Sequence, residues 1–175
     1  MDSPEILLQA RVFRVVRQSY RTPDGREHFR ETVVHPGAVT IVPMVDDDHV
    51  CLIRNFRPSV GRTLIELPAG TLGQGEDPRA AAARELIEET GYRARSVEPL
   101  VEFFMSPGIL NERMYVFVAT GLEPGDQQLE AGEQIERLVV AWDEALDMAR
   151  QGKIQDAKTL AGLLHYEVTR RRAKA

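Results

Sequence analysis

Residues 70–92 read GTLGQGEDPRAAAARELIEETGY, a glycine-rich loop followed by a single amphipathic helix. Asp77 and Pro78 are typical of a helix start, because Asp caps free backbone N–H groups and proline fits the first helical position. Gly91 is typical of a helix end, where the chain turns into the left-handed conformation. The pattern therefore predicts a helix from about residue 78 to residue 90.

The predicted helix has two different faces. At 100° per residue, Glu85, Glu88 and Glu89 fall within about a third of a turn of one another. We expect these carboxylates to be presented to solvent or to a ligand. The opposite side is expected to pack against the rest of the protein, and it carries Ala80, Ala83, Leu86, Ile87 and Thr90.

The three carboxylates stand where they reduce the stability of the helix. Glu85 and Glu89 are like charges four residues apart, which repel each other on a helix surface. All three lie in the last half of the helix, near the negative end of its dipole. A hard divalent cation such as Mg²⁺ or Mn²⁺ would remove both penalties. A solvated helix face is the alternative, and the carboxylates alone do not decide between them.

The rest of the chain predicts strands and two further helices. Two strands, residues 6–20 and 27–35, are expected to form a hairpin around the turn at 22–25. A second hairpin is expected from residues 38–45 and 50–56. Further strands are expected at 63–67, 97–105, 113–120 and 135–141, and helices at 143–151 and 156–172. Because strands and helices do not alternate strictly, the order predicts an α+β fold with a mixed sheet between helices.

Composition limits the classes of protein that fit. A chain of 175 residues fits one main domain, expected at 37–175, with a small N-terminal β-hairpin region at 1–36. The net charge of −5 argues against a nucleic-acid partner, and no apolar stretch approaches the ~20 residues of a membrane span. The single cysteine, Cys51, excludes an intrachain disulfide. Together with a start that lacks a signal-peptide pattern, it favours the cytoplasm.

The spacing in residues 70–92 resembles the Nudix box, GX5EX7REUXEEXGU, in which U is a bulky apolar residue. Every fixed position matches, and Tyr92 at the last apolar position is the one mild departure. The resemblance implies a mixed β-sheet between helices, preceded by an N-terminal antiparallel sheet. It also implies an enzyme that hydrolyses the pyrophosphate of a nucleoside diphosphate linked to another group.

The resemblance also implies a role for each residue of the box. Three carboxylates would bind Mg²⁺, or Mn²⁺, and take part in catalysis: Glu85, Glu88 and Glu89. The carbonyl of Ala69 would add one oxygen ligand to the metal. Arg84 would hold Glu76 or Glu85 in one rotamer, as a group behind a metal ligand should. Gly70 would let the backbone approach the bound ligand closely.

Three further motifs resemble the ADP-ribose pyrophosphatase branch of the family. Residues 65–70 (IELPAG) contain Glu66, and residues 54–58 (RNFRP) contain Arg57, which would face a phosphate. Residues 106–108 (SPG) contain Pro107. The resemblance implies that these three residues help to bind ADP-ribose, which would be cleaved to AMP and ribose 5-phosphate.

Two more sites follow from the resemblance. Glu112 lies in a loop where similar enzymes place a general base, and a loop can deliver such a base to the attacking water. Members of the family often dimerise through the N-terminal sheet, which then supplies an aromatic or arginine side chain to the partner's site. Phe29 and Arg30 are the candidates by position, with an ordinary strand pair as the alternative. A homodimer is therefore expected, while His35 has no predicted partner.

Two other functions remain open at this point. A nucleotide-sugar hydrolase, acting for example on GDP-mannose, would share most of these motifs. A nucleotide-binding module of the same fold without turnover would not need Glu85, Glu88 and Glu89 crowded on one helix face. The intact set therefore favours an enzyme.

Overall fold

The computed structural model describes residues 3–174, which form three β-sheets and three helices. The N-terminal sheet contains β1 (Glu5–Gln9), β2 (Arg14–Arg21) and β3 (Glu27–Val34). A four-stranded sheet contains β4 (Ala38–Pro43), β7 (Ala69–Thr71), β8 (Arg93–Phe104) and β9 (Arg113–Glu123). The third sheet contains β5 (His49–Arg57), β6 (Arg62–Glu66) and β10 (Ile135–Ala141). The helices are α1 (Pro78–Thr90), α2 (Trp142–Arg150) and α3 (Ala157–Lys174).

Strand β4 is the centre of the main sheet, and all six of its residues are buried. It runs parallel to β9 and antiparallel to β7, so the sheet, ordered β7-β4-β9-β8, is mixed. Side chains alternate between the two faces of a strand. Val39 and Ile41 pack with Leu86 of α1, whereas Val42 belongs to the cluster that contains Leu163 of α3. The predicted α+β arrangement, a mixed sheet between helices, is confirmed.

The predicted first strand, residues 6–20, is wrong as a single strand. The chain turns back at residues 10–13, where the amide of Ala10 donates to the carbonyl of Phe13 at 2.9 Å. Strands β1 and β2 pair antiparallel, so that Ile6 lies opposite Val16. The N-terminal unit is therefore a three-stranded antiparallel sheet, and the predicted hairpin is its β2–β3 half. The run of β-forming residues hid a turn that has no glycine or proline.

The predicted hairpin of residues 38–45 and 50–56 is also wrong. Strands β4 and β5 belong to different sheets and are joined only by an isolated bridge between Met44 and Val50. Both edges of β4 are already paired, by β7 and β9, so β5 cannot join it along its length. Strand β7 itself falls in the segment expected to be a loop.

Helix α1 has the predicted bounds, but only part of its predicted packed face is buried. The side chain of Asp77 accepts hydrogen bonds from two first-turn amides, and Gly91 ends the helix with φ of 74°. The buried residues of α1 are Ala81, Ala82, Leu86, Glu89 and Thr90, whereas Ala80 is exposed. The carboxylate face therefore overlaps the packed face. The amide of Ala69 on β7 supplies a polar partner there, and this allows Glu89 to be buried.

Helices α2 and α3 lie within two residues of their predicted ends. Trp142 begins α2 and is buried in the main core. Within residues 3–174, no helix is both long enough and apolar enough to cross a membrane.

Candidate active site

A cleft of about 670 Å³ lies between strand β7 and helix α1. Its ionisable lining residues are three arginines and six glutamates. The arginines are Arg11, Arg57 and Arg84, and the glutamates are Glu76, Glu85, Glu88, Glu89, Glu130 and Glu133. Sequence reasoning missed Arg11, Glu130 and Glu133, which come from loops distant in sequence. The excess of carboxylates makes the cleft attractive to cations.

Arg84 connects three of these carboxylates. Its Nε and Nη2 donate to Glu76 at 3.0 and 3.1 Å, and its Nη1 donates to Glu85 at 2.7 Å and to Glu88 at 2.8 Å. The predicted partners Glu76 and Glu85 are therefore both engaged. The bonds with Glu76 are the largest cause of a raised pKa for Arg84, so this guanidinium is a permanent positive charge within the cleft.

Glu89 is the most buried carboxylate of the cleft, with 3% of its surface exposed. Its Oε2 accepts the amide hydrogen of Ala69 at 2.8 Å, which ties α1 to β7. Burial raises the pKa of Glu89 to about 8 despite that bond, and the charge of Glu85 adds to the effect. Burial also raises the pKa of Glu85. Both groups are thus held where their negative charge lacks full compensation.

The chemistry of these groups fits a hard divalent cation. Carboxylate oxygens suit Mg²⁺ and Mn²⁺, and a bound cation would lower the raised pKa of Glu89. Among residues 3–170, no three acidic, histidine or cysteine side chains converge on one point, because Arg84 draws Glu85 and Glu88 to its Nη1. Glu85 and Glu88 therefore share one nitrogen of the Arg84 guanidinium.

A smaller cavity of about 210 Å³ adjoins the cleft and shares part of its wall. Arg57, Ala69, Gly70 and Thr71 line both spaces. Glu112 lines the smaller cavity together with them. The structure thus brings two predicted site residues, Arg57 and Glu112, next to the carboxylate cleft.

Arg57 is held by Glu66 through two parallel hydrogen bonds. Nε lies 2.8 Å from Oε1 and Nη2 lies 2.7 Å from Oε2. Glu66 is completely buried, and its Oε2 also accepts from Lys158 at 2.5 Å. Both oxygens of Glu66 are therefore engaged within the protein, and its predicted contact with substrate stays a prediction.

Sequence reasoning missed Lys158 and Asp156, which line the smaller cavity. Lys158 is buried and lies in the first turn of α3. A positive charge at that end of a helix opposes the helix dipole. That anomaly was the one local signal in the sequence that could have identified Lys158.

The loop that carries Glu112 is attached to the end of the N-terminal sheet. The amide of Val33 donates to Ile109 at 2.9 Å, and the amide of Asn111 donates back to Val33 at 3.1 Å. The amide of His35 donates to Oδ1 of Asn111 at 2.8 Å. Nδ1 of His35 also lies 3.6 Å from Oε1 of Glu112. His35, which had no predicted partner, thus stands beside the candidate base.

The chain resembles known proteins closely enough to show its family. The NUDIX domain model matches residues 34–163. The chain belongs to the NUDIX family. The match includes α1, β7 and the loop with Glu112, and leaves most of the N-terminal sheet outside it.

Two relatives and one solved structure show how this NUDIX protein compares with others. It is 32% identical over 166 residues to the "ADP-ribose pyrophosphatase" of Bacillus subtilis, covering 94% of this chain and 90% of the relative. The "Methanol dehydrogenase activator" of Bacillus methanolicus matches with the same identity and coverage. The crystal structure of an "ADP compounds hydrolase" superposes with a TM-score of 0.85 and 25% identity, covering 98% of this chain and 93% of that chain.

Three predicted binding residues of this NUDIX protein lie away from both spaces. Pro107 is exposed on the turn that begins at Ser106. Phe29 and Arg30 are neighbours on β3, so their side chains point to opposite faces of the N-terminal sheet. Arg30 lies over the ring of Tyr20 at 5.9 Å, whereas 64% of Phe29 is exposed. Substrate contacts by these three residues stay predictions.

Proposed function

We propose that this chain is a divalent-metal-dependent pyrophosphatase that hydrolyses ADP-ribose to AMP and ribose 5-phosphate. The observation that carries the proposal is the helix face of Glu85, Glu88 and Glu89, which lines a cleft that also contains Arg57. The names of the Bacillus subtilis relative and of the structurally similar hydrolase support the substrate class.

Four groups would hold Mg²⁺ or Mn²⁺ in this proposal: the carbonyl of Ala69 and the carboxylates of Glu85, Glu88 and Glu89. When bound, the metal neutralises charge on the pyrophosphate. Arg84 keeps Glu85 and Glu88 on the cleft side of α1, and the amide of Ala69 does the same for Glu89.

The proposed reaction uses Glu112 as the general base. Glu112 takes a proton from a water molecule, whose oxygen attacks one phosphorus of the pyrophosphate in line. A bond forms between the water oxygen and that phosphorus, and the bond from the same phosphorus to the bridging oxygen breaks. Arg57 offers its remaining donors to a phosphate oxygen. Its guanidinium is fixed for this role by Glu66.

A substrate panel tests the proposal. Purified protein with Mg²⁺ is given ADP-ribose, GDP-mannose and other nucleoside diphosphate compounds, and kcat/KM is measured for each. We expect the highest value for ADP-ribose, no turnover in excess chelator, and restored activity after Mg²⁺ is returned. A higher kcat/KM for GDP-mannose would reassign the substrate to the nucleotide-sugar class.

A binding or regulatory role without turnover is the second candidate. It is favoured by the Bacillus methanolicus relative, which is named as the activator of another enzyme. The same panel separates the two candidates. Binding of ADP-ribose by calorimetry, without AMP among the products, would favour the regulatory role and would contradict the pyrophosphatase.

The N-terminal sheet supports a homodimer as part of the proposal. Three of its large apolar side chains are more than half exposed: Ile6, Leu8 and Phe29. A second copy of the chain would cover such side chains. Light scattering of the purified protein tests this, and a monomer at micromolar concentration would contradict it. We also propose a cytoplasmic enzyme, since Cys51 is a free buried thiol, and no nucleic-acid partner.

A further inference from the structure

Four charged side chains meet at the wall of the smaller cavity, at the start of α3. Nζ of Lys158 lies 2.5 Å from Oε2 of Glu66 and 3.0 Å from Oδ1 of Asp156. Glu66 also binds Arg57 through both of its oxygens. Two cations and two anions from β5, β6 and the start of α3 therefore form one continuous network.

Fold stability does not explain this network. Glu66 is completely buried and Lys158 is 7% exposed. A buried ion pair is often no more stable than apolar side chains of the same size, because both charges must lose water. The positive charge of Lys158 also opposes the dipole at the start of α3. Well-packed apolar side chains in place of a buried ion pair often leave a fold no less stable.

Arg57 is the most exposed member of the network. Glu66 and Lys158 are buried, whereas 38% of the Arg57 side chain is exposed, and it lines both the cleft and the smaller cavity. Glu66 takes Nε and Nη2 of Arg57, and no described side chain takes Nη1. That donor is available to a ligand at the border of the two spaces.

Lys158 affects how strongly the positive charge of Arg57 would attract a ligand. Burial alone would raise the pKa of Glu66, but the bonds from Arg57 and the charge of Lys158 lower it. With Lys158 present, two cations face two carboxylates, Glu66 and Asp156. Without Lys158, Arg57 would be the one cation beside both carboxylates, and the wall would carry a net negative charge beside the carboxylate-rich cleft.

We propose that Lys158 is a positioning residue for substrate binding: acting through Glu66, it holds Arg57 in place and keeps it positive towards a phosphate of the substrate. The inference rests on the proposed function, in which Arg57 binds a phosphate. Lys158 itself does not need to touch the substrate.

A double-mutant cycle tests this role. Lys158→Met keeps the length of the side chain but removes its charge, and we expect it to raise KM for ADP-ribose at least about tenfold with kcat changed much less. Arg57→Met should raise KM at least as much. Because both act through one guanidinium, Lys158→Met should add no further increase in the Arg57→Met background. Lys158→Arg should restore part of the affinity.

The matched control is Lys153→Met, which removes an exposed lysine from the connection that precedes α3. It should leave KM unchanged. The inference is overturned if folded Lys158→Met keeps the wild-type KM, or if its effect on KM multiplies fully with that of Arg57→Met. If Lys158→Met does not fold, Glu66→Gln takes its place, with the same expected rise in KM and the same dependence on Arg57.

Equilibrium binding of ADP, measured by calorimetry on the same proteins, separates this inference from the proposed function. If the wild type turns over ADP-ribose and Lys158→Met has the wild-type KM, the role of Lys158 is contradicted but the proposed function is not. Absence of turnover in the wild type contradicts the pyrophosphatase, and the inference is then judged on ADP affinity. A wild type that binds no ADP, or variants that bind it as well as the wild type, would overturn the inference.

Discussion

Gly70 and Glu85 lie so close that a side chain on the glycine would occupy the place of the carboxylate. A Cβ atom at Gly70 would be 1.9 Å from both Cδ and Oε1 of Glu85. Any side chain at this position of β7 would therefore require the carboxylate of Glu85 on α1 to move. Gly70, the first glycine of the Nudix box, is thus explained by its contact with Glu85, the first candidate metal ligand.

Replacing Gly70 by alanine should displace the carboxylate of Glu85 while the fold survives, because the end of a glutamate side chain can move. We expect Mg²⁺ affinity to fall about 10- to 100-fold, as when other residues that orient metal ligands are changed. Calorimetry with Mg²⁺ measures the effect, and thermal melting checks the fold. Gly108→Ala is the matched control, since no atom lies within 4 Å of a Cβ there. Equal Mg²⁺ affinities for the two variants would contradict this explanation of Gly70.

Glu89→Gln should abolish turnover and change how stability depends on pH. Burial raises the pKa of Glu89 in the folded protein to about 8, from 4.5. A raised pKa stabilises the folded state below pH 4.5, and this contribution is lost as the pH rises towards 8. In chelator, the wild type should therefore lose stability across that range, and Glu89→Gln should lose less.

Thermal melting at a series of pH values measures this difference between the two proteins. Glu136→Gln, which changes an exposed carboxylate on β10, should melt with the same pH dependence as the wild type. We expect kcat of Glu89→Gln to fall by several orders of magnitude with Mg²⁺ present. Near-normal turnover in that variant would show that the metal site has been assigned wrongly.

Glu112→Gln should lose rate without losing the metal. The amide keeps the shape of the side chain but cannot accept a proton from water, so we expect kcat to fall about 10²- to 10⁴-fold. Mg²⁺ affinity should be unchanged, since Glu112 lines the smaller cavity and not the carboxylate cleft. Glu123→Gln, at the exposed end of β9, is the control. An unaltered kcat in Glu112→Gln would remove Glu112 from the reaction.

Phe29 and Arg30 should behave differently when each is replaced by alanine. Their side chains leave opposite faces of β3, and Arg30 already packs on Tyr20 of its own chain. We expect Phe29→Ala to raise KM for ADP-ribose several-fold, with little change in Arg30→Ala. Steady-state kinetics on the two variants give the answer. Similar increases of KM in both variants would contradict a contact made by the Phe29 face of the sheet alone.

Local signals in the sequence predicted the bounds of helix α1 correctly. Asp77, Pro78 and Gly91 fix its ends through contacts within a few residues, and such contacts can be inferred from the neighbouring sequence. Leu86 and Thr90 are buried as predicted, but the burial of Glu89 was missed because it depends on the amide of Ala69. That amide is supplied by a three-residue strand that the sequence does not reveal.

Contacts between distant segments account for the rest of what was missed. Lys158 and Glu66 are 92 residues apart in the chain, and His35 and Asn111 are 76 apart. No periodicity or spacing links such pairs. The second hairpin was predicted wrongly for the same reason. Strand β4 pairs with β7 and β9, which are distant in sequence, and not with the strand that follows it.

Backbone hydrogen bonds join Val33, at the end of the N-terminal sheet, to the segment Ile109–Asn111. The N-terminal sheet therefore supports the loop that carries Glu112. Trimming the chain at residue 37 would spare every residue of the Nudix box, yet it would remove the backbone bonds that hold the loop of Glu112, the proposed general base. Shortened versions would then take up magnesium and still be poor catalysts. The N-terminal sheet is therefore better regarded as a structural support of the proposed active site.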